Sequence, residues 1–130
     1  MRPLILSVDD EQDVTELVEF HLTRAGFNVM TAANGREALQ SVACRRPDLI
    51  ILDLMLPDID GFGVCEILRR DPATATIPIL LLTAWATDDA RSFGLELGAL
   101  DYLTKPFSPK ELTLRVQWLL SLRGEMKSSA

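Results

Sequence analysis

Five short apolar runs punctuate the chain, and four of them give way abruptly to reactive polar residues. Leu4-Ile5-Leu6-Ser7-Val8 leads into Asp9-Asp10-Glu11, and Leu49-Ile50-Ile51-Leu52 into Asp53. Ile79-Leu80-Leu81-Leu82 leads into Thr83, and Leu100-Asp101-Tyr102-Leu103-Thr104 into Lys105-Pro106. The remaining run is Phe27-Asn28-Val29-Met30-Thr31. Nearly continuous apolar runs of this length predict strands covered on both faces, as in a parallel sheet. Helical spacing fills the intervals. Val14, Leu17, Val18 and Leu22 share one face of a helix over about 12–25, which Gly26 stops. Asn34, with Glu37 three residues on, opens a second helix that buries Ala38, Leu39, Val42 and Ala43 and ends at Pro47. Phe62, Val64, Ile67 and Leu68 mark a third, ended by Asp71-Pro72. A fourth is predicted from near Thr87 to Gly98. The fifth opens at Ser108-Pro109-Lys110-Glu111, a capping box with Pro at the first helical position, and buries Leu112, Val116, Leu119 and Leu120.

Five βα units of this size predict an α/β fold: a flavodoxin-like, doubly wound, five-stranded parallel sheet of order 2-1-3-4-5 with five helices. Residues 1–124 form one domain in this reading, and 125–130 a polar tail or the start of a linker. Such sheets bind at the carboxyl ends of their strands, where the acids, the threonine and the lysine fall.

Composition narrows the function. The chain has 130 residues, 48% hydrophobic and 25% charged, as in an ordinary globular domain. No apolar run approaches the roughly 20 residues needed to cross a bilayer. Met1-Arg2-Pro3 opens straight into a strand without a leader's cleavage region, so a cytoplasmic location is expected. The net charge of −6 argues against direct nucleic-acid binding by this domain. Cys44 and Cys65 lack metal-ligand spacing and are expected to be reduced, buried packing residues. His21 is the only histidine, which excludes a histidine-rich metal centre.

The chemistry lies in the strand-end clusters. No glycine-rich phosphate loop follows the first strand; three adjacent carboxylates stand there instead. With Asp53 they are suited to a hard divalent cation. They also suit the start of a helix, and Glu11 is expected to do only that. Asp53 is placed either as a nucleophile toward phosphorus, once a metal screens the charges, or as a ligand alone. Lys105 is a point charge able to meet a phosphoryl oxygen, and its bond to Pro106 is of the kind that tolerates cis geometry. Thr83 offers a hydroxyl.

These segments together resemble the receiver domain of two-component response regulators over about residues 3–123. The likeness is carried by Val8-Asp9-Asp10-Glu11, by Asp53-Leu54-Met55-Leu56-Pro57-Asp58-Ile59-Asp60-Gly61, by Leu82-Thr83-Ala84, and by Gly98-Ala99-Leu100-Asp101-Tyr102-Leu103-Thr104-Lys105-Pro106-Phe107. The resemblance implies a signalling switch rather than a metabolic enzyme. Asp53 would accept a phosphoryl group from a sensor histidine kinase or a phosphotransfer protein. Mg²⁺ (or Mn²⁺) would be held by Asp10, Asp53 and the backbone carbonyl of Met55, with Asp9 acting through water. Thr83 and Lys105 would contact the phosphoryl group, and Tyr102 would be the switch aromatic. Within receivers, the chain most resembles those joined to winged-helix DNA-binding domains, which dimerise through helix four, strand five and helix five. The resemblance places Arg91, Leu95, Asp101, Glu111 and Arg115 on that face. Arg91 would pair with Glu111, and Asp101 with Arg115, between subunits. Its apolar centre would be Ser92, Leu95 and Thr113, two of them polar. Leu100 replaces a usually acidic residue, and Gln117 stands where a basic partner for Glu96 is expected. Trp85 is large for its position and is expected either to overhang the site, slowing attack by water, or to pack on helix four.

Three other readings fit less well. A phosphohydrolase with an aspartyl nucleophile commonly needs an acid where Met55 stands. A flavin-binding module needs a hydroxyl- and glycine-rich loop in place of the acids. A degenerate receiver would lack part of the site.

Overall fold

The computed structural model describes residues 2–128, with side chains as far as Leu122. Strands β1 (Leu4–Val8), β2 (Asn28–Ala32), β3 (Leu49–Leu52), β4 (Ile79–Thr83) and β5 (Asp101–Thr104) alternate with helices α1 (Gln12–Arg24), α2 (Gly35–Cys44), α3 (Gly61–Arg70), α4 (Asp88–Glu96) and α5 (Pro109–Ser128). The sheet order is β2-β1-β3-β4-β5, every pair parallel. The flavodoxin-like topology is the expected one. The segment expected as a tail is α5 backbone as far as Ser128, and residues 129–130 lie outside the described residues.

The strands are apolar throughout because helices cover both faces. Leu6, Val8, Ile50, Leu52, Ile79 and Leu81 pack with Ala38 and Val42 of α2 and Val64, Cys65 and Leu68 of α3. Their strand neighbours Ile5, Leu49, Ile51, Leu80 and Leu82 point the other way, onto Val18 and Leu22 of α1 and Leu112, Val116 and Leu119 of α5. Alternate side chains thus feed two cores from one sheet. α4 differs from the other helices in that its only buried residues are Ala90 and Gly94.

Several helix faces differ from expectation. Leu17 and Ile67 are exposed, at 42% and 45%, and Thr15 and Cys65 are buried in the same helices. The i, i+4 line through Val14, Val18 and Leu22 leaves Leu17 on its flank. Cys44 is exposed as the last residue of α2, whereas Cys65 is buried as expected. Burial pushes the Cys65 thiol up to about 11, which leaves it protonated and inert. β2 and β5 each begin one residue later than their apolar runs, and Phe27 is drawn into the core; β4 begins with its run at Ile79, after Pro78, which has no N–H to give the sheet, and extends to Thr83. Thr83 is therefore the last strand residue rather than the first after it. α1 ends at Gly26, whose φ of 101° a side chain would resist. α4 is shorter than predicted, with Thr87 as its cap, its side chain accepting from the Ala90 N–H at 3.1 Å.

Candidate functional site

Register decides which side chains meet. Val8 stands opposite Leu52, so Asp9 and Asp53 leave adjacent strands side by side, with the Asp53 N–H donating to the Val8 carbonyl at 3.0 Å. Thr83 stands opposite Thr104, and the Lys105 N–H continues that ladder to the Thr83 carbonyl at 2.9 Å. Four strands of the central sheet therefore end together, each delivering one reactive residue. The Lys105–Pro106 peptide bond is cis.

The lysine lies among acids. Its Nζ is 2.7 Å from Asp9 Oδ2, 2.9 Å from Asp53 Oδ2 and 3.1 Å from Glu11 Oε1. Burial works to lower the Lys105 ammonium's pKa, but the bonds from Asp9 and Asp53 outweigh it and hold the group above its usual range. Burial raises Asp9, opposed by the Lys105 bond and the Glu11 N–H and reinforced by the Asp53 charge. Asp53 Oδ1 accepts from the Met55 N–H at 3.1 Å. Glu11 stands at the N-cap of α1, just before Gln12, and its side chain makes no capping hydrogen bond. Its carboxylate turns back to Lys105 instead, a correction to its expected role as a helix-start residue alone.

Asp9, Asp10, Glu11 and Asp53 each present a carboxylate oxygen, and these oxygens lie within 4.8 Å of one another. An all-oxygen set with two exposed members, Asp10 and Glu11, has the chemistry of a Mg²⁺ site open to solvent. Met55 and Asp10 line one groove beside it, together with Pro57, Ala84 and Trp85.

Thr83 and Tyr102 are joined through Trp85. The Thr83 hydroxyl accepts from the Trp85 N–H at 3.2 Å, and the Tyr102 hydroxyl donates to the Trp85 carbonyl. Tyr102 is buried, and burial raises its phenol. The Trp85 ring meets Phe62 of α3 edge-on at 5.6 Å, and Phe62 meets Phe93 of α4 at 4.8 Å. Trp85 thus reaches α4 through Phe62, and at 44% exposure it also walls the groove beside Asp10.

On the α4–β5–α5 side, Arg115 is committed within the chain. It grips both oxygens of Asp101 at 2.7 Å and Glu111 at 3.0 Å, which holds its guanidinium above the usual range. Asp101 and Arg115, the two residues expected to pair between subunits, meet within the chain because β5 and α5 are neighbours. Arg91 lies 6.0 Å over the Tyr102 ring. Thr113 faces α1, in a groove with His21 and Arg24, and donates to the Pro109 carbonyl at 2.9 Å. Exposed apolar residues on the outer side are Leu95, Leu100, Leu114 and Trp118, each at least 42% accessible. Leu114, one residue on from Thr113, is the exposed apolar side chain of this stretch of α5.

A family model described as the response regulator receiver domain matches residues 5–117. The chain belongs to this family. The receiver is 48% identical over 120 residues to the alkaline phosphatase synthesis transcriptional regulatory protein PhoP of Bacillus subtilis, covering 92% of this chain and 49% of that protein. It is 47% identical over 128 residues to the DNA-binding dual master transcriptional regulator RpaA of Synechocystis, covering 98% of this chain and 53% of that one. A putative response regulator of Chloroflexus aurantiacus superposes with a TM-score of 0.89 at 45% identity, covering 93% of this chain and 99% of the other. The receiver therefore spans about half the length of the curated relatives it matches. Among the described residues, no helix is long and apolar enough to cross a membrane.

Two features of this receiver were missed at the level of sequence. Asp58 bonds the start of α2, from a loop 22 residues further along the chain. Arg69 donates to the carbonyls of Ala75, Ile77 and Gly98 and so ties α3 to the α4–β5 turn. Neither has a local signal, because their partners are brought near only by the fold.

Proposed function

We propose that Asp53 takes a phosphoryl group from a phosphohistidine of a sensor histidine kinase or phosphotransfer protein, and that the resulting charge switches the domain's surface. The observation that carries this is the position of the Asp53 carboxylate, set between the Met55 N–H and the Lys105 ammonium beside three further acids. A carboxylate oxygen of Asp53 would form the P–O bond as the P–N bond breaks, and the departing imidazole would keep the electron pair and take up a proton. Asp10, Asp53 and the Met55 carbonyl would hold Mg²⁺, with Asp9 through water. When bound, the cation supplies the positive charge that lets an anionic oxygen approach an anionic phosphoryl group. Lys105 would exchange its Asp53 contact for a phosphoryl oxygen. Thr83 would turn its hydroxyl to another, releasing the Trp85 N–H and so disturbing the backbone that Tyr102 also holds. The new local charge would bias a two-state element. The receiver would act in the cytoplasm and control transcription through a winged-helix DNA-binding segment; the transcriptional and DNA-binding roles in its relatives' names support the transcription role.

Incubation with a small phosphodonor and Mg²⁺, followed by intact-mass analysis, is expected to give a single phosphate adduct. Asp53→Asn should give none, and an undiminished adduct on that variant would place the acceptor elsewhere. In the same assay the adduct of Trp85→Ala should decay faster than wild type, because the indole walls the groove by which water arrives. An equal lifetime would remove that role.

A second copy of the receiver would then cover the α4–β5–α5 face, with Leu95, Leu100, Leu114 and Trp118 as its apolar centre. Because Arg115 is paired within its own chain, the dimer would depend on these residues rather than on ion pairs. Phosphorylated wild type should elute as a dimer and Leu114→Glu as a monomer with the same phosphate content. A dimeric Leu114→Glu would exclude this face.

A further inference from the structure

The loop between β3 and α3 carries Met55 and is fastened to a different helix. Asp58 lies three residues beyond Met55, on the surface, yet both its carboxylate oxygens are engaged. Oδ1 accepts from the Gly35 N–H at 2.8 Å and Oδ2 from the Arg36 N–H at 2.9 Å. These are the first two N–H groups of α2, which have no partner within their own helix. Asn34 serves a third donor, the Glu37 N–H, at 2.9 Å. The bonds from Arg36 and Gly35 hold the Asp58 carboxyl below its ordinary value, as expected at the positive end of a helix.

The next residue tightens the junction. A Cβ placed on Gly35 would lie 3.0 Å from both the Cβ and the carbonyl oxygen of Ile59, so loop and helix are already in close contact. At the other end of the loop, the Met55 N–H donates to Asp53, and the Gly61 N–H closes onto the Leu54 carbonyl at 2.9 Å. The Met55 side chain is 60% exposed and gives little anchorage of its own. Only Leu56 and Pro57 separate Met55 from Asp58, and proline fixes one of the intervening torsions. The main chain at Met55 is therefore set from one side by Asp53 and from the other by Asp58.

We infer that Asp58 is a positioning residue for the cation site: by fastening the loop to α2, it holds the Met55 carbonyl within reach of Mg²⁺, although its own carboxylate is not a ligand. This rests on the Mg²⁺ reading above. If Asp58 served only to cap α2, its loss would lower stability and leave Mg²⁺ affinity alone.

The two roles separate in a calorimetric titration of the whole chain with MgCl₂, with a melting curve for each protein. Asp58→Ala is expected to weaken Mg²⁺ binding by about tenfold, the scale on which supporting residues act at metal sites. Asp58→Asn keeps one acceptor and should fall between. Asn34→Ala removes the other α2 cap, so it should lower the melting temperature and leave Mg²⁺ affinity unchanged. Wild-type affinity in both Asp58 variants, or an equal weakening in Asn34→Ala, would overturn the inference while the cation site stands. Failure of the wild type itself to bind Mg²⁺ would overturn the cation site and this inference with it.

Discussion

Lys105→Met is expected to lower folding stability by about 3 kcal/mol at neutral pH without Mg²⁺, because it leaves two buried carboxylates without their counter-ion. The Asp9 and Asp53 side chains are only 3% and 4% exposed, and one ammonium serves both. The Glu11 side chain, at 64% exposed, adds little to this sum. The expected fall in Tm is roughly 10 °C for a domain of this size. Two conditions should reduce the deficit. Burial already raises Asp9, so the stability tied to its protonated form is complete below its ordinary value and is lost as pH rises through the raised one. Removing the ammonium raises that value further, so the deficit should shrink as the solution is acidified through the carboxylate range. Mg²⁺ should also restore part of the loss and should raise the variant's Tm more than the wild type's. Urea unfolding at neutral and mildly acid pH, with and without MgCl₂, reads both effects. A variant as stable as wild type at neutral pH without Mg²⁺ would mean that the carboxylates do not depend on this lysine.

Gly61→Ala should lower stability by about 2–3 kcal/mol, as overpacking does when the obstacle is rigid. The added methyl would lie 2.4 Å from the Asp53 carbonyl oxygen and 2.7 Å from Leu54 Cα, both main-chain atoms. Relief requires the loop to move away from β3, which breaks the Gly61–Leu54 hydrogen bond beside the acceptor. Gly63→Ala, two residues on, meets the Cγ2 methyl of Ile59 at 2.9 Å, a side-chain rather than a main-chain atom. It should cost less than Gly61→Ala, within about 1 kcal/mol of wild type, because a side-chain methyl gives more readily than main-chain atoms. Equal unfolding midpoints for the two alanine variants would show that the loop is not pinned where it passes Asp53.

The strands and their order were legible because a sheet covered on both faces writes itself as uninterrupted apolar runs. The acceptor cluster was legible because each run ends on its reactive residue. What escaped the sequence has two physical causes. Helix faces were misjudged where an apolar residue lies on the flank of the buried stripe, as with Leu17 and Ile67, since a stripe's width is set by the packed partner. The exposure of Leu114 rather than Thr113 on α5 is likewise a matter of phase, one residue and about 100° on a helix. The second cause is distance along the chain. The partner of Asp58 lies at the start of another helix, the carboxylate of Glu11 reaches Lys105 across the sheet edge, and Arg115 finds Asp101 only because β5 and α5 are neighbours. Motif spacing identifies which residues gather; it does not say which hydrogen bonds hold them.

α4 lies on the sheet with an alanine and a glycine as its only buried residues. Its larger side chains, Phe93 and Leu95, stand partly in water, and Phe93 leans on an aromatic neighbour rather than on the core. Sliding this helix would sacrifice little buried apolar surface, so a second placement would cost little free energy. One phosphoryl group adds only a few charges to a domain whose core it never enters. That would suffice if the part it must move is the part with the least apolar surface bound down, and Ala90 and Gly94 give α4 that character.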